Sequence, residues 1–189
     1  MIAHLIRNSG SKLVQKQFLL LHGKWFWTCR QYEVRMEVNP DFRDLLKMLN
    51  DYSVKYLIAG GYAVMYYTEP RFTKDIDIWI EPTQDNAQKV WNALAEFGAP
   101  LEQITLNDFC NKDLIYQIGI APNRIDIMMD IPGIEFNRAW ENRIQSRYYD
   151  IPLHIISLDD LINAKEIAGR DQDLLDLKQL KRLKQNRAK

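Results

Sequence analysis

Cysteine and histidine are scarce in this chain. Among 189 residues the only cysteines are Cys29 and Cys110, which lie far apart and lack the spacing of metal ligands. This argues against a disulfide framework and favours a reducing cytoplasm as the setting. The histidines, His4, His22 and His154, form no cluster in the sequence. A zinc site therefore has little support.

The sequence also lacks net charge and a long apolar run. Its formal net charge is zero, so no overall field favours nucleic acid or acidic partners. The most apolar early stretch, FLLLHGKWFW, is interrupted by His22 and Lys24, whereas a membrane-spanning helix needs about 20 largely apolar residues. No small-residue cleavage site follows that stretch. We expect neither a membrane span nor secretion.

The first 35 residues differ from the rest of the chain. They show no sustained helical or strand period, and they contain several basic residues but a single acid, Glu33. We hypothesise that residues 1–35 are an N-terminal extension, either disordered or the product of a mis-assigned start, with translation beginning at Met36. The alternative is a genuine basic, aromatic arm. Expression from Met36 would decide, because loss of folding or activity would contradict the hypothesis.

From Met36 onward, helical and strand patterns alternate, which predicts a mixed α+β domain. We expect a core over residues 36–156 and C-terminal helices over residues 157–189 that pack on it. The expected helices cover residues 62–67, 86–97, 136–143, 158–168 and 171–184, after a first helix that starts at Asn39-Pro40-Asp41. The expected strands cover residues 55–59, 74–80, 114–118, 124–129 and 153–156.

The segment YLIAGGYAVMYYTEPRFTKDIDIWI carries the first functional signal. Gly60-Gly61 follows a strand and precedes a helix, where backbone N–H groups can approach an anion closely. Alone, such a pair is more often just a tight turn. Asp75 and Asp77 lie two residues apart on the next strand, so both carboxylates project from one face.

A third acid strengthens the signal. Asp126, in RIDIMMD, shares one strand face with Arg124. If the two strands are adjacent, three carboxylates converge, and like charges ~5 Å apart repel by roughly 3 kcal/mol at an effective dielectric near 20. Magnesium suits such a site, and two ions can clamp a phosphoryl transfer. The alternative is that the acids are neutralised as surface ion pairs by Arg71, Lys74 or Arg124.

These motifs together resemble the DNA polymerase β-like nucleotidyltransferase superfamily, in its minimal bacterial branch near the AbiEii-type toxin nucleotidyltransferases. The resemblance spans Met36 to about Leu183 and is carried by Gly60-Gly61, AVMYY, PRFTKDIDIWI, RIDIM and LDDLINAKEIAGRDQDLLDL. It implies that the glycines hold a triphosphate and that Asp75, Asp77 and Asp126 bind magnesium, with Asp126 also the general base. Many members have Gly-Ser where this chain has Gly60-Gly61.

The C-terminal helices contain a less specific set. In the functional interpretation, Lys165 reaches nucleotide phosphates and Arg170 steadies them or the acceptor. The alternative is that both are solvated or pair with neighbouring acids across the junction at Gly169. Asp173 and Asp176 are interpreted as structural.

The resulting hypothesis is a magnesium-dependent nucleotidyltransferase that moves a nucleoside monophosphate from a nucleoside triphosphate to an acceptor hydroxyl. RNA such as a tRNA 3′ end, a protein or a small molecule could be the acceptor. A toxin-like role with an antitoxin-like partner is a further hypothesis. The rival from another class is a non-catalytic nucleotide-binding module with the same fold.

Overall fold

The computed structural model describes residues 39–69, 73, 75–120 and 123–187 of the chain. The predicted extension over residues 1–35, the proposed start at Met36, and the basic residues Arg71 and Lys74 lie outside these ranges. Within the described residues, no helix has both the length and the apolar character needed to cross a membrane.

The described chain forms a mixed α+β fold, as predicted, around one six-stranded sheet. The strands are β1 (Tyr56–Ile58), β2 (Asp75–Ile80), β3 (Ile115–Ile118), β4 (Arg124–Met128), β5 (Ile144–Tyr148) and β6 (Ile151–Ile155). The α-helices are α1 (Pro40–Asp51), α2 (Gly60–Tyr67), α3 (Gln84–Phe97), α4 (Phe136–Glu141), α5 (Leu158–Ala168) and α6 (Asp171–Arg187). A 3₁₀-helix over Leu106–Cys110, which the sequence did not predict, lies between α3 and β3.

The strand order is β3-β4-β2-β1-β6-β5, so β2 and β4 lie at neighbouring positions inside the sheet. They run parallel, whereas β1 and β2 run antiparallel. The isoleucines of β2 point into the core and are at most 1% exposed. This confirms the predicted alternation, and it leaves the aspartates of β2 on the opposite face.

The helix boundaries follow their capping residues. The side chain of Asn39 accepts hydrogen bonds from the backbone N–H groups of Asp41 and Phe42 at 3.0 and 3.3 Å, which starts α1 where the sequence predicts. Ser157 caps α5 in the same way, and its hydroxyl also donates to Asp160 at 2.7 Å. Gly98 ends α3 in the left-handed conformation, at φ 80°.

Strand β5 is absent from the predicted elements. It pairs only with β6 and forms one edge of the sheet. Most of its side chains are exposed, so its sequence IQSRY carries no apolar alternation. A strand without a buried face leaves no periodic signal to detect.

Candidate active site

The three predicted acids come together on one face of the sheet. Asp77 on β2 is the direct register partner of Asp126 on β4, and Asp75 lies two residues earlier on β2. Neighbouring residues of paired strands project to the same side, so all three carboxylates share that face. The condition set by the sequence, that the two strands be adjacent, is met.

The arginine on β4 lies among these acids. Arg124 is the register partner of Asp75. Its Nη2 donates to Oδ2 of Asp75 at 2.6 Å, and its Nε and Nη2 donate to the two carboxylate oxygens of Asp126 at 2.7 and 2.8 Å. These hydrogen bonds, above all those to Asp126, raise the pKa of Arg124. We call Asp75, Asp77, Arg124 and Asp126 the strand cluster.

The sequence left ion pairing of the acids as the alternative to a metal site. Such ion pairing occurs in the structure, with Arg124 as the cation. In this arrangement, the acidic, histidine and cysteine side chains of the described residues form no ready-made metal-binding group of three or more. The donor set itself is suitable, because it consists of carboxylate oxygens, the ligands that magnesium prefers. The acids fit a cation chemically, and a guanidinium supplies the positive charge.

Two neutral side chains, which the sequence did not point to, support these acids. Gln117 on the edge strand β3 is the register partner of Asp126 and donates to its Oδ1 at 3.2 Å. The hydroxyl of Thr73 lies 3.2 Å from Oδ1 of Asp75. Glutamine in a partly exposed strand and threonine just before a strand are both common in sequences. Only the three-dimensional structure therefore shows that these two side chains contact the acids.

The ionised form of Asp77 is disfavoured by its surroundings in the strand cluster. Burial, followed by the charges of Asp75 and Asp126, raises its pKa to about 6. The backbone N–H of Gly61 and the charge of Lys165 oppose this rise. An ionised carboxylate here lacks full solvation and lies beside two like charges, so it favours a nearby cation.

The glycine turn is built around Asp77. Gly60 has φ +53°, and a Cβ at this position would overlap the Asp77 carboxylate. Helix α2 begins at Gly60, two residues earlier than the sequence predicts, and Ala59 donates its N–H to the backbone oxygen of Asp77 at 3.0 Å. The Gly61 N–H, expected to meet a phosphate, hydrogen-bonds Asp77 instead. The close approach of a carboxylate thus requires glycine at position 60.

Tyr62 does not replace the serine hydroxyl that many members of the resembled superfamily have near this turn. Its ring packs edge-on against Phe42 and Tyr148, with centroids 5.9 and 6.0 Å apart. Burial is the main cause of its raised pKa, and its hydroxyl hydrogen-bonds that of Tyr148. Any contact of the turn with an anion must come from backbone groups.

The two basic residues predicted to act in the C-terminal helices differ in their exposure to solvent. Lys165 Nζ lies 2.5 Å from Asp173 and 3.1 Å from Asp176, and only 12% of its side chain is exposed. We call Lys165, Asp173 and Asp176 the helix cluster. Arg170 is 83% exposed and lies 3.8 Å from Asp173. The structural interpretation of both aspartates agrees with their burial.

Comparison with known proteins identifies the family of this chain. A family model described as "nucleotidyltransferase of unknown function (DUF6036)" matches residues 36–185. The chain belongs to this family. As a member of the DUF6036 family it is a nucleotidyltransferase, and the match contains every residue of the strand and helix clusters. No curated protein shows significant sequence similarity to the chain.

Among solved structures, this DUF6036 nucleotidyltransferase is similar to the lincosamide antibiotic adenylyltransferase LnuA, solved with lincomycin bound. The two share 19% sequence identity at a TM-score of 0.50, over 77% of this chain and 97% of the other. At this level of identity the similarity concerns the fold. It agrees with the nucleotidyltransferase fold expected from the sequence.

Proposed function

We propose that this nucleotidyltransferase is magnesium-dependent and transfers a nucleoside monophosphate from a nucleoside triphosphate to an acceptor hydroxyl. The observation that carries the proposal is the register of β2 and β4, which pairs Asp77 with Asp126 and puts Asp75 on the same face. Three acids on one face need positive charge, and a nucleotide arrives with metal ions bound to its phosphates.

In this proposal Asp75, Asp77 and Asp126 hold one or two magnesium ions. Bound there, magnesium supplies a Lewis acid that stabilises negative charge on phosphate oxygens. Asp126 accepts the proton of the acceptor hydroxyl, whose oxygen then bonds to the α-phosphorus as the bond to the pyrophosphate oxygen breaks. Gln117 and Thr73 keep Asp126 and Asp75 oriented during this step.

The remaining residues divide between the nucleotide and the scaffold. We assign the Gly60-Gly61 turn to the triphosphate, because a turn without side chains lets phosphate approach backbone groups. Arg170, which is largely exposed, is assigned to the phosphates or the acceptor. Lys165 is held by two carboxylates, yet its charge still lowers the pKa of Asp77. Its contribution to phosphate binding is therefore through its field.

The first experiment tests transfer itself. Purified protein is incubated with each α-labelled nucleoside triphosphate, with and without Mg²⁺, in the presence of total RNA, total protein or a panel of small hydroxyl compounds. We expect a labelled acceptor and released pyrophosphate only with Mg²⁺. The panel includes lincomycin, because the structurally similar LnuA was solved with it bound.

A double variant tests the site assignment. Asp75→Ala with Asp77→Ala should abolish the label, because two of the three proposed metal ligands are lost. Asp44→Ala with Asp51→Ala is the matched control, since these two helix α1 carboxylates are about half exposed and belong to surface ion pairs. Label transfer that persists in the first variant would reject the assigned site.

A pyrophosphate assay beside calorimetry addresses the non-catalytic alternative. A nucleotide-binding module would bind the triphosphate, in the presence or absence of Mg²⁺, without pyrophosphate release. The family membership supports the enzyme. Pyrophosphate release that depends on an added acceptor would establish transfer and identify the class of acceptor.

We further propose the AbiEii-type branch and a toxin-like role. The proposal is supported by the resemblance of the C-terminal segment LDDLINAKEIAGRDQDLLDL. It predicts that induced expression slows growth, that the Asp75→Ala, Asp77→Ala variant relieves the effect, and that a neighbouring gene product restores growth. Unimpaired growth at high expression of the active enzyme would contradict a toxin role and leave the transfer activity standing.

A further inference from the structure

Arg124 fills the position of a cation in the strand cluster. It makes three charge-assisted hydrogen bonds, between 2.6 and 2.8 Å, to the carboxylates of Asp75 and Asp126. Two of these form a fork on both oxygens of Asp126, the geometry in which arginine binds carboxylate most specifically. The arginine therefore satisfies the same oxygens that the proposed metal ion would use.

The pairing register of β2 and β4 places Arg124 beside these acids. The triplets DID of β2 and RID of β4 pair residue by residue, with Arg124 opposite Asp75 and Asp126 opposite Asp77. All four side chains consequently lie on one face of two parallel strands. The three acids and the permanently charged arginine together carry a residual negative charge.

The exposure of Arg124 allows it to leave. Its side chain is 32% exposed, whereas Asp126, which it binds, is only 9% exposed. The carboxylates belong to the paired strands β2 and β4, and Gln117 and Thr73 also hydrogen-bond Asp126 and Asp75. A flexible side chain with a route to solvent can move while its acidic partners remain in place.

From this geometry we propose that Arg124 is an internal counter-ion that competes with the divalent metal ion for Asp75 and Asp126. The proposal rests on the assignment of these acids as metal ligands under the proposed function. A metal ion on these oxygens would lie at short range from the guanidinium and repel it. Metal binding therefore includes the displacement of Arg124, and until that exchange the arginine offsets part of the negative charge of the free site.

Mn²⁺ titration of the metal-free protein, followed by electron paramagnetic resonance of unbound Mn²⁺, tests the competition without any turnover. We expect Arg124→Gln to bind Mn²⁺ about tenfold more tightly than wild type, which corresponds to about 1.4 kcal/mol. Arg43→Gln is the matched control, since Arg43 forms a similar fork with Asp150, outside the strand cluster. Its Mn²⁺ affinity should equal that of wild type.

Arg124→Lys keeps the test valid if the glutamine variant does not fold without metal. Lysine retains the charge but cannot form the fork on both oxygens of Asp126, so we expect Mn²⁺ affinity about threefold above wild type. In the wild type, Mg²⁺ should also shift the Nε–H nuclear magnetic resonance signal that is missing from the Arg124→Lys spectrum. That signal reports the displacement of Arg124 directly.

The outcomes separate the competition from the proposed function. Mn²⁺ affinity that is equal or weaker in Arg124→Gln, or in Arg124→Lys where that variant stands alone, overturns the competition and leaves the metal site in place. An unchanged Nε–H signal at saturating Mg²⁺ also overturns it. Failure of wild type and all variants to bind Mn²⁺ overturns the metal site and the competition together.

Discussion

The strand cluster and the helix cluster both place one basic side chain between two aspartates, yet they differ in burial. The side chain of Arg124 is 32% exposed, and that of Lys165 is 12% exposed. The acids of the helix cluster are at most 6% exposed. The same charge pattern is thus partly open to solvent in the strand cluster, and buried in the helix cluster, where it links two helices.

The physical basis of the difference is desolvation. Breaking a buried ion pair leaves an uncompensated charge away from water, whereas a partly exposed pair can exchange its partner for water or another ion. In the helix cluster, Lys165 on α5 joins two acids on α6. In the strand cluster, the acids lie on the paired strands β2 and β4, and the arginine that binds them is partly exposed.

The largest effect is expected from Asp77→Asn. This substitution removes the proposed metal ligand that is paired in register with Asp126, so nucleotidyl transfer should fall by about 10²- to 10³-fold, a scale typical of losing preorganised charge stabilisation. The free energy of unfolding without metal should stay equal or rise, because one of three neighbouring like charges is gone. Label transfer and urea denaturation measure the two. Transfer within tenfold of wild type would contradict the assignment.

Lys165→Met should cause the largest loss of stability. It removes the buried cation that both acids of the helix cluster share, at a cost of about 3–5 kcal/mol in the free energy of unfolding. Lys181→Met is the matched control, because Lys181 pairs with Glu166 while both side chains are about half exposed. That change should cost about 1 kcal/mol or less. Equal denaturation midpoints for the two variants would remove the contrast between the clusters.

Gly60→Ala tests the close approach of the glycine turn to Asp77. The left-handed backbone costs about 1 kcal/mol for alanine, and the Cβ would also overlap the Asp77 carboxylate. We expect a total loss of about 2–3 kcal/mol, of the size seen for overpacking, together with reduced transfer.

Gly98→Ala isolates the backbone contribution in that experiment. Gly98 has φ +80°, and a Cβ there would meet no atom of the described residues within 4 Å. Its loss should be about 1 kcal/mol, with transfer unchanged. If Gly60→Ala proves no more harmful than Gly98→Ala in denaturation and transfer assays, then Gly60 does not serve the carboxylate.

The smallest stability change is expected for Arg170→Gln. This arginine is 83% exposed and only 3.8 Å from Asp173, so the free energy of unfolding should change by no more than about 0.5 kcal/mol. If Arg170 contacts phosphates, KM for the nucleoside triphosphate should still rise. Steady-state kinetics beside thermal denaturation distinguish the two roles. An unchanged KM and kcat would remove Arg170 from the proposed site.

Segments with strong periodicity form the predicted elements, and a segment with weak periodicity forms a strand that the sequence does not predict. The alternation in DIDIWI correctly separated the buried isoleucines from the two aspartates, because one face of this interior strand is fully buried. The capping residues Asn39 and Gly98 correctly marked helix ends. Strand β5 was missed because an edge strand with mostly exposed side chains has no apolar face.

The sequence alone determined which residues this protein has available for chemistry and which strand faces carry them, because side-chain direction follows from local backbone period. Tertiary structure decided their partners. Only the parallel pairing of β2 with β4 set Arg124 opposite Asp75, and only the packing of α5 on α6 buried Lys165 between two acids. Such contacts join residues distant in the chain, and register and burial are properties of the whole fold.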